Sequence, residues 1–224
     1  GVTVEEMNET YGRFVVQPLE RGYGVTIGNA FRRVLLSSLS GTAITAVRVD
    51  GVQHEFSTIP GVTEDVTDIV LNLKGVRFRA EEEDEGSVSI HLEGQGAWTA
   101  KDIADNTADF EVLNPDHHIA TLAEDADVRI DLRIETGRGY VGAEDTKRAD
   151  DPIGVVAVDS IFTPILNVRY NVTPTRVGDK IDYERLTLEV ETDGSITAED
   201  ALTNAAAILR DHIGLFVEVD TSTG

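Results

Sequence analysis

Asn29-Ala-Phe-Arg-Arg-Val-Leu-Leu-Ser-Ser-Leu-Ser-Gly41 carries the clearest helical pattern in the chain. At about 100° per residue, Phe31, Val34, Leu35, Ser38 and Leu39 fall on one face of a helix. Asn29 is the expected N-cap, and Ser40-Gly41 the expected end. The apolar face centres between Val34 and Leu35, which turns Arg33 almost directly away from it and puts Arg32 at its edge. Leu36 sits beside Arg33. An arginine next to an outward leucine points to a partner contact, since arginine is enriched where interfaces are strongest. A solvated arginine lying over a leucine stem explains the same pattern.

On either side of it, Tyr11–Leu19 reads as a strand and residues 20–24 as a turn, while Ala43–Val49 reads as a strand closed by Asp50-Gly51. After a loop at 57–61, Val62, Val66, Ile69, Val70 and Leu73 recur at helical spacing. From Val76 to Ile134 the period changes to two, as in Val88/Ile90/Leu92 and Val128/Ile130/Leu132/Ile134, which predicts a β-rich block. The acidic run Glu81-Glu82-Glu83-Asp84-Glu85 then becomes a solvated hairpin tip. Beyond the polar stretch Ala143–Asp151, strands are expected near 153–158, 166–172 and 183–192. A last helix opens at Thr197, with Asp200 three residues on. Its apolar set is Ala201, Leu202, Ala205, Ile208, Leu209, Ile213 and Phe216, a face too wide for one neighbour to cover. The pattern is mixed α and β, with a β-rich block between the first helix and the last.

Composition narrows function. Lys+Arg 19 against Asp+Glu 41 gives a net charge of −22, which repels nucleic acid phosphates, so no direct DNA binding is expected of this fragment. Only Lys74, Lys101, Lys147 and Lys180 are lysines. Scarce lysine among abundant carboxylates fits a protein that works in high salt, and it equally fits simple solubility. The absence of cysteine excludes disulfides and thiolate sites and matches a cytoplasmic setting. No apolar run nears the roughly 20 residues that span a membrane.

Catalytic motifs fail on inspection. Gly137-Arg-Gly-Tyr-Val-Gly142 is a literal GxGxxG after an expected strand. A dinucleotide fingerprint also needs a helix opening at its third glycine. None is expected in Ala143–Pro152, which places carboxylates where phosphate would lie. His117-His118 on an extended segment would point to opposite faces, without a partner at metal-ligand spacing. No pattern of residues marks an active site. A small enzyme built on the 137–142 loop and a free-standing homodimeric binding protein are two readings that the residues leave open.

Leu19-Glu-Arg-Gly-Tyr-Gly-Val-Thr-Ile-Gly-Asn-Ala-Phe-Arg-Arg-Val-Leu-Leu-Ser-Ser38 resembles the signature of the bacterial RNA polymerase alpha subunit family. Further blocks resemble that family in order: His54 to Val66, Leu71-Asn-Leu-Lys-Gly75, Asn114-Pro-Asp116, Gly139-Tyr140, Asp159 to Tyr170, and Thr192-Asp-Gly-Ser-Ile196. The resemblance implies an α+β dimerisation domain of antiparallel sheet and two long helices (residues 1–42 and 166–224), interrupted by a β-rich insert (43–165), whose protomers pair through the first and last long helices. Phe31, Val34, Leu35, Leu39, Leu202, Ala205, Leu209, Ile213 and Phe216 are the expected dimer contacts. It further implies contact with the beta subunit through Arg33, Leu36, His54, Glu55, Ser57, Gly61, Glu64 and Asp65. Arg176, Leu186 and Leu188 are the expected contacts with beta prime. The implied role is architectural, with no catalytic residue and no cofactor on this chain, the magnesium of the reaction lying in the large subunits. The family's carboxy-terminal DNA-binding domain is expected to lie outside these residues.

Overall fold

The computed structural model describes residues 1–80 and 85–219. They carry helices α1 (Tyr23–Ser37), α2 (Val66–Leu73), α3 (Ala100–Ala104), α4 (Ala143–Thr146) and α5 (Ala198–Val217). The α+β class holds. The chain divides into two compact units, Gly1–Leu39 with Thr163–Gly224, and Ser40–Phe162. The boundaries expected after residue 42 and before 166 thus fall slightly earlier. Pairing sets them: the strand Ser40–Val49 is laddered to Asp127–Arg138 from Ser40↔Arg138 onward, so all of it belongs to the second unit.

The first unit is an antiparallel sheet in the order Val2–Met7, Tyr11–Glu20, Lys180–Thr192, Ile165–Val177. Alternation along Lys180–Thr192 sends Leu186, Leu188 and Val190 into the core and Thr187 and Glu189 to the other face. There they meet Phe14, Leu35, Leu39, Ile165, Val168, Ala198, Ala201 and Ala205, so α1 and α5 cover one side of the sheet.

Helix α1 starts six residues before the expected cap at Asn29, which is exposed inside the helix. Its first turn is held instead by Glu184, whose Oε1 accepts from the Gly22 amide at 2.9 Å and the Gly24 amide at 3.1 Å. A carboxylate is the favoured partner for a helix N-terminus. Because it comes from a strand 160 residues away, local sequence could not reveal it. The same helix lies tightly on the sheet at Gly28, where a Cβ would stand 2.6 Å from the Tyr170 ring. At α5 the local reading holds, with the Thr197 hydroxyl accepting from the Asp200 amide at 3.1 Å.

The second unit is built on an antiparallel sheet ordered Val155–Ala157, Ser40–Val49, Asp127–Arg138, Gly86–Glu93. Ile44, Val47, Val88, Ile90, Val128, Ile130, Leu132 and Ile134 project from it into one core with Ile69 and Leu73 of α2 and with Trp98. Helix α3 interrupts the stretch expected to be strand and turn alone. At five residues it is too short for apolar periodicity to reveal, and the Asp102 carboxylate bonds the Thr99 amide at 2.9 Å to cap it. Of the acidic run, Glu81–Asp84 lie outside the described residues. The flanking strands are not the two arms of one hairpin, since Phe78–Ala80 pairs with Phe110–Val112 and Gly86–Glu93 pairs with Asp127–Arg138. No described helix is long and apolar enough to cross a membrane.

Candidate partner surfaces

Helix α5 does two jobs along its length. Ala198, Ala201 and Ala205 are fully buried in the first unit's core, with Leu202 and Ile208 half-buried against it. Past Arg210 the helix runs off its own core. Ile213 is 61 % exposed, Leu215 71 % and Phe216 80 %, and Val217 and Val219 are exposed as well. Large apolar side chains clustered at one helix end mark a surface that wants a partner.

The expected dimer contacts therefore separate. Leu35, Leu39 and Ala205 are buried within their own protomer and offer no side chain to another, which corrects the assignment of these three. Leu35 does so because the apolar face of α1 packs on the sheet, and Leu39, just past the end of that helix, joins the same core. Phe31, Val34, Leu202 and Leu209 are half-buried, while Ile213 and Phe216 stand free. Leu215, Val217 and Val219 were missed because they lie off the helical stripe. The signal was present in the lack of any polar face in Ile213-Gly-Leu-Phe-Val217.

Among the residues expected to meet beta, Arg33 is exposed on α1. Leu36 is half-buried against the first unit's core, so its reading as an outward leucine is corrected. In the second unit His54 and Glu55 are exposed, and the half-buried Ser57 brings its Oγ within 3.3 Å of His54 Nδ1. Phe56, at 76 % exposure, stands between them and was overlooked. The other three have duties inside the unit. Gly61 adopts φ +77°, and a Cβ there would lie 2.8 Å from the Ala126 backbone. Asp65 caps α2 by accepting from the Asp68 amide at 2.8 Å. Glu64 accepts from the Thr121 amide at 2.6 Å and hydroxyl at 3.0 Å and meets His118 Nε2 at 3.2 Å. Burial pushes the Glu64 carboxyl up, and these donors outweigh it, leaving it below the usual carboxylate value.

For beta prime, Arg176 is exposed near the end of Ile165–Val177. Leu186 and Leu188 are 0 % and 1 % exposed, so their assignment as contacts is corrected: alternation commits them to the core.

The glycine-rich loop is followed by a helix after all, the single turn α4. Its first free amide, on Ala143, already donates to Asp159 Oδ1 at 2.6 Å, and Lys74 Nζ donates to the other oxygen at 2.8 Å. Glu144 and Asp145 fill the first turn. An incoming phosphate would meet three carboxylates. His117 and His118 diverge, His117 Nε2 lying 2.6 Å from the Asn72 carbonyl and His118 reaching Glu64.

The segment after α4 is clasped onto the sheet. Arg133 donates to Asp151 Oδ1 at 2.7 Å and to the Thr146 carbonyl at 3.0 Å, and Arg148 pairs with Glu135 and, at 2.6 Å, with Glu85. The hydrogen bond from Arg133 holds the Asp151 carboxyl below its usual value. A lowered folded pKa contributes stability that is complete above the unfolded value, about 3.9, and is lost as pH falls through the folded one. Asp151→Asn should therefore lower the melting temperature at pH 7, and the gap to wild type should close below about pH 4. Thermal unfolding across that range measures it; a gap that persists unchanged in acid would mean that the carboxylate charge is not what the clasp uses.

These features define a two-unit α+β chain, its sheet-and-helix unit split by a β-rich insert and carrying an uncovered apolar helix end. Residues 47–163 match the family model described as the RNA polymerase Rpb3/RpoA insert domain. The DNA-directed RNA polymerase subunit alpha of Salinibacter ruber is 67% identical over 220 residues, covering 98% of this chain and 67% of that protein. Its counterpart in Chloroherpeton thalassium is 60% identical over 206 residues, covering 92% of this chain and 63% of that protein. The chain belongs to the bacterial RNA polymerase alpha subunit family. It spans about two thirds of the length of these relatives, 67% and 63%.

Proposed function

We propose that this chain is a homodimeric scaffold in the cytoplasm on which the beta and beta prime subunits of a DNA-directed RNA polymerase assemble for transcription, and that it makes and breaks no bond itself. The uncovered apolar end of α5 carries the reading, because a side chain such as Phe216, 80 % exposed in the protomer, gains by burial against a second copy. An isologous pairing presents each further surface twice. Beta and beta prime would then take one protomer each. Arg33 and the exposed His54–Ser57 segment are the surfaces proposed for beta, and Arg176 for beta prime. No cofactor is proposed for this chain; the magnesium of nucleotidyl transfer would sit in the large subunits.

Arg33 offers the sharpest test. It is exposed, and no core contact depends on its guanidinium. Arg33→Ala should leave the dimer mass unchanged and weaken capture of beta by about 2 kcal/mol or more, roughly thirtyfold, as for a central interface arginine. Loss of both dimer and beta binding would show instead that the residue serves the fold.

A further inference from the structure

We infer that His91, Glu93 and Asp127 form a surface site for a divalent transition-metal ion, for which zinc is the best fit. The three lie on two paired strands of the second unit, with Glu93 directly opposite Asp127 and His91 opposite Arg129. His91 and Glu93, two residues apart, share one face of the sheet, and all three side chains are exposed there. The His91 Nε2 atom is 2.6 Å from Asp127 Oδ1 and 3.2 Å from Glu93 Oε1, and all three donor atoms lie within 4.8 Å of one another.

Two carboxylates opposite each other across an antiparallel ladder repel; His91 Nε2 touches both Glu93 and Asp127, and a bound cation would relieve the repulsion further. In a chain of net charge −22 that cost is not relieved by distant groups. An imidazole with two carboxylates is a borderline nitrogen and oxygen donor set that suits zinc. Tetrahedral zinc with bonds of about 2.0–2.2 Å sets its ligands roughly 3.3 Å apart. The His91–Glu93 spacing already matches, and Asp127 reaches it by a small rotation about its side-chain bonds. On binding, the proton that His91 Nε2 shares with Asp127 leaves to solvent, the ring carries its proton on Nδ1, and Nε2 offers its lone pair to the metal. Three protein ligands leave the fourth position to water.

The ligands are carried by rigid backbone. Beyond the Glu93–Asp127 pair the ladder is continued by the Gly94 amide, which donates to the Ala126 carbonyl at 2.9 Å. Arg129, on the same face opposite His91, opposes the incoming charge and sets the site at modest affinity.

Calorimetric titration of zinc chloride into the chain, beside His91→Ala and Asp127→Asn, tests the assignment. The 41 Asp+Glu side chains give a diffuse background common to all three proteins. Wild type should show one saturable site per chain above that background, with affinity falling about tenfold or more in each variant, the equivalent of about 1.4 kcal/mol. The imidazole NMR signals of His91 should move with zinc while those of His212 stay fixed. Superimposable isotherms for the three proteins, or a His91 signal that does not respond, would overturn the site.

Discussion

Leu188→Ala should lower the unfolding free energy of the first unit by about 2–5 kcal/mol, while Arg176→Ala should leave it within about 0.5 kcal/mol. Leu188 is 1 % exposed and sits opposite Phe14 on the neighbouring strand, inside the cluster that α1 and α5 close over. Truncation removes the transfer free energy of its methyl groups and leaves a cavity that a sheet backbone cannot collapse to fill. Arg176, exposed near a strand end, leaves nothing unsatisfied when it is cut back. Urea denaturation at one fixed protein concentration compares the two, since any self-association would otherwise shift the midpoint. A loss below about 1 kcal/mol for Leu188→Ala would put that side chain back on the surface and restore it as a contact for a large subunit.

The second large effect belongs to the end of α5. Ile213→Asp combined with Phe216→Asp should turn a dimer into a monomer with its fold intact. Each apolar side chain is worth about 1.5–3 kcal/mol when fully buried. A carboxylate left unpaired at the centre of an interface adds a further cost. Together the two substitutions should raise the dissociation constant by more than about a hundredfold. Within the protomer the two positions are 61 % and 80 % exposed, so circular dichroism should be unchanged. Aggregation or unfolding of the double variant at equal concentration would mean that this segment packs on its own chain.

Much of this fold follows from local pattern. Alternation in Leu186/Leu188/Val190 and in Val128/Ile130/Leu132/Ile134 marks strands with one buried face, and the structure buries those side chains. Thr197 marks the start of α5 because its cap is made three residues away. What stayed hidden depends on contacts distant in sequence. The start of α1 is set by Glu184 from another strand, and the edge of the second unit by a ladder between Ser40 and Arg138. The partner surfaces divide the same way. An apolar stripe reports that a side chain will be covered without saying by what, so Leu35 and Phe216 look alike in sequence although one is fully buried and the other free. Gly61, Glu64 and Asp65, expected at a partner surface, also bend, brace and cap the second unit, a role visible only once Ala126, Thr121 and the Asp68 amide are in place.

Two copies of this chain are proposed to pair through the end of α5. Light scattering on the chain eluting from a sizing column at micromolar concentration tests it most directly. A mass near twice 24.3 kDa is expected, and a clean species at 24.3 kDa would show that the end of α5 does not pair.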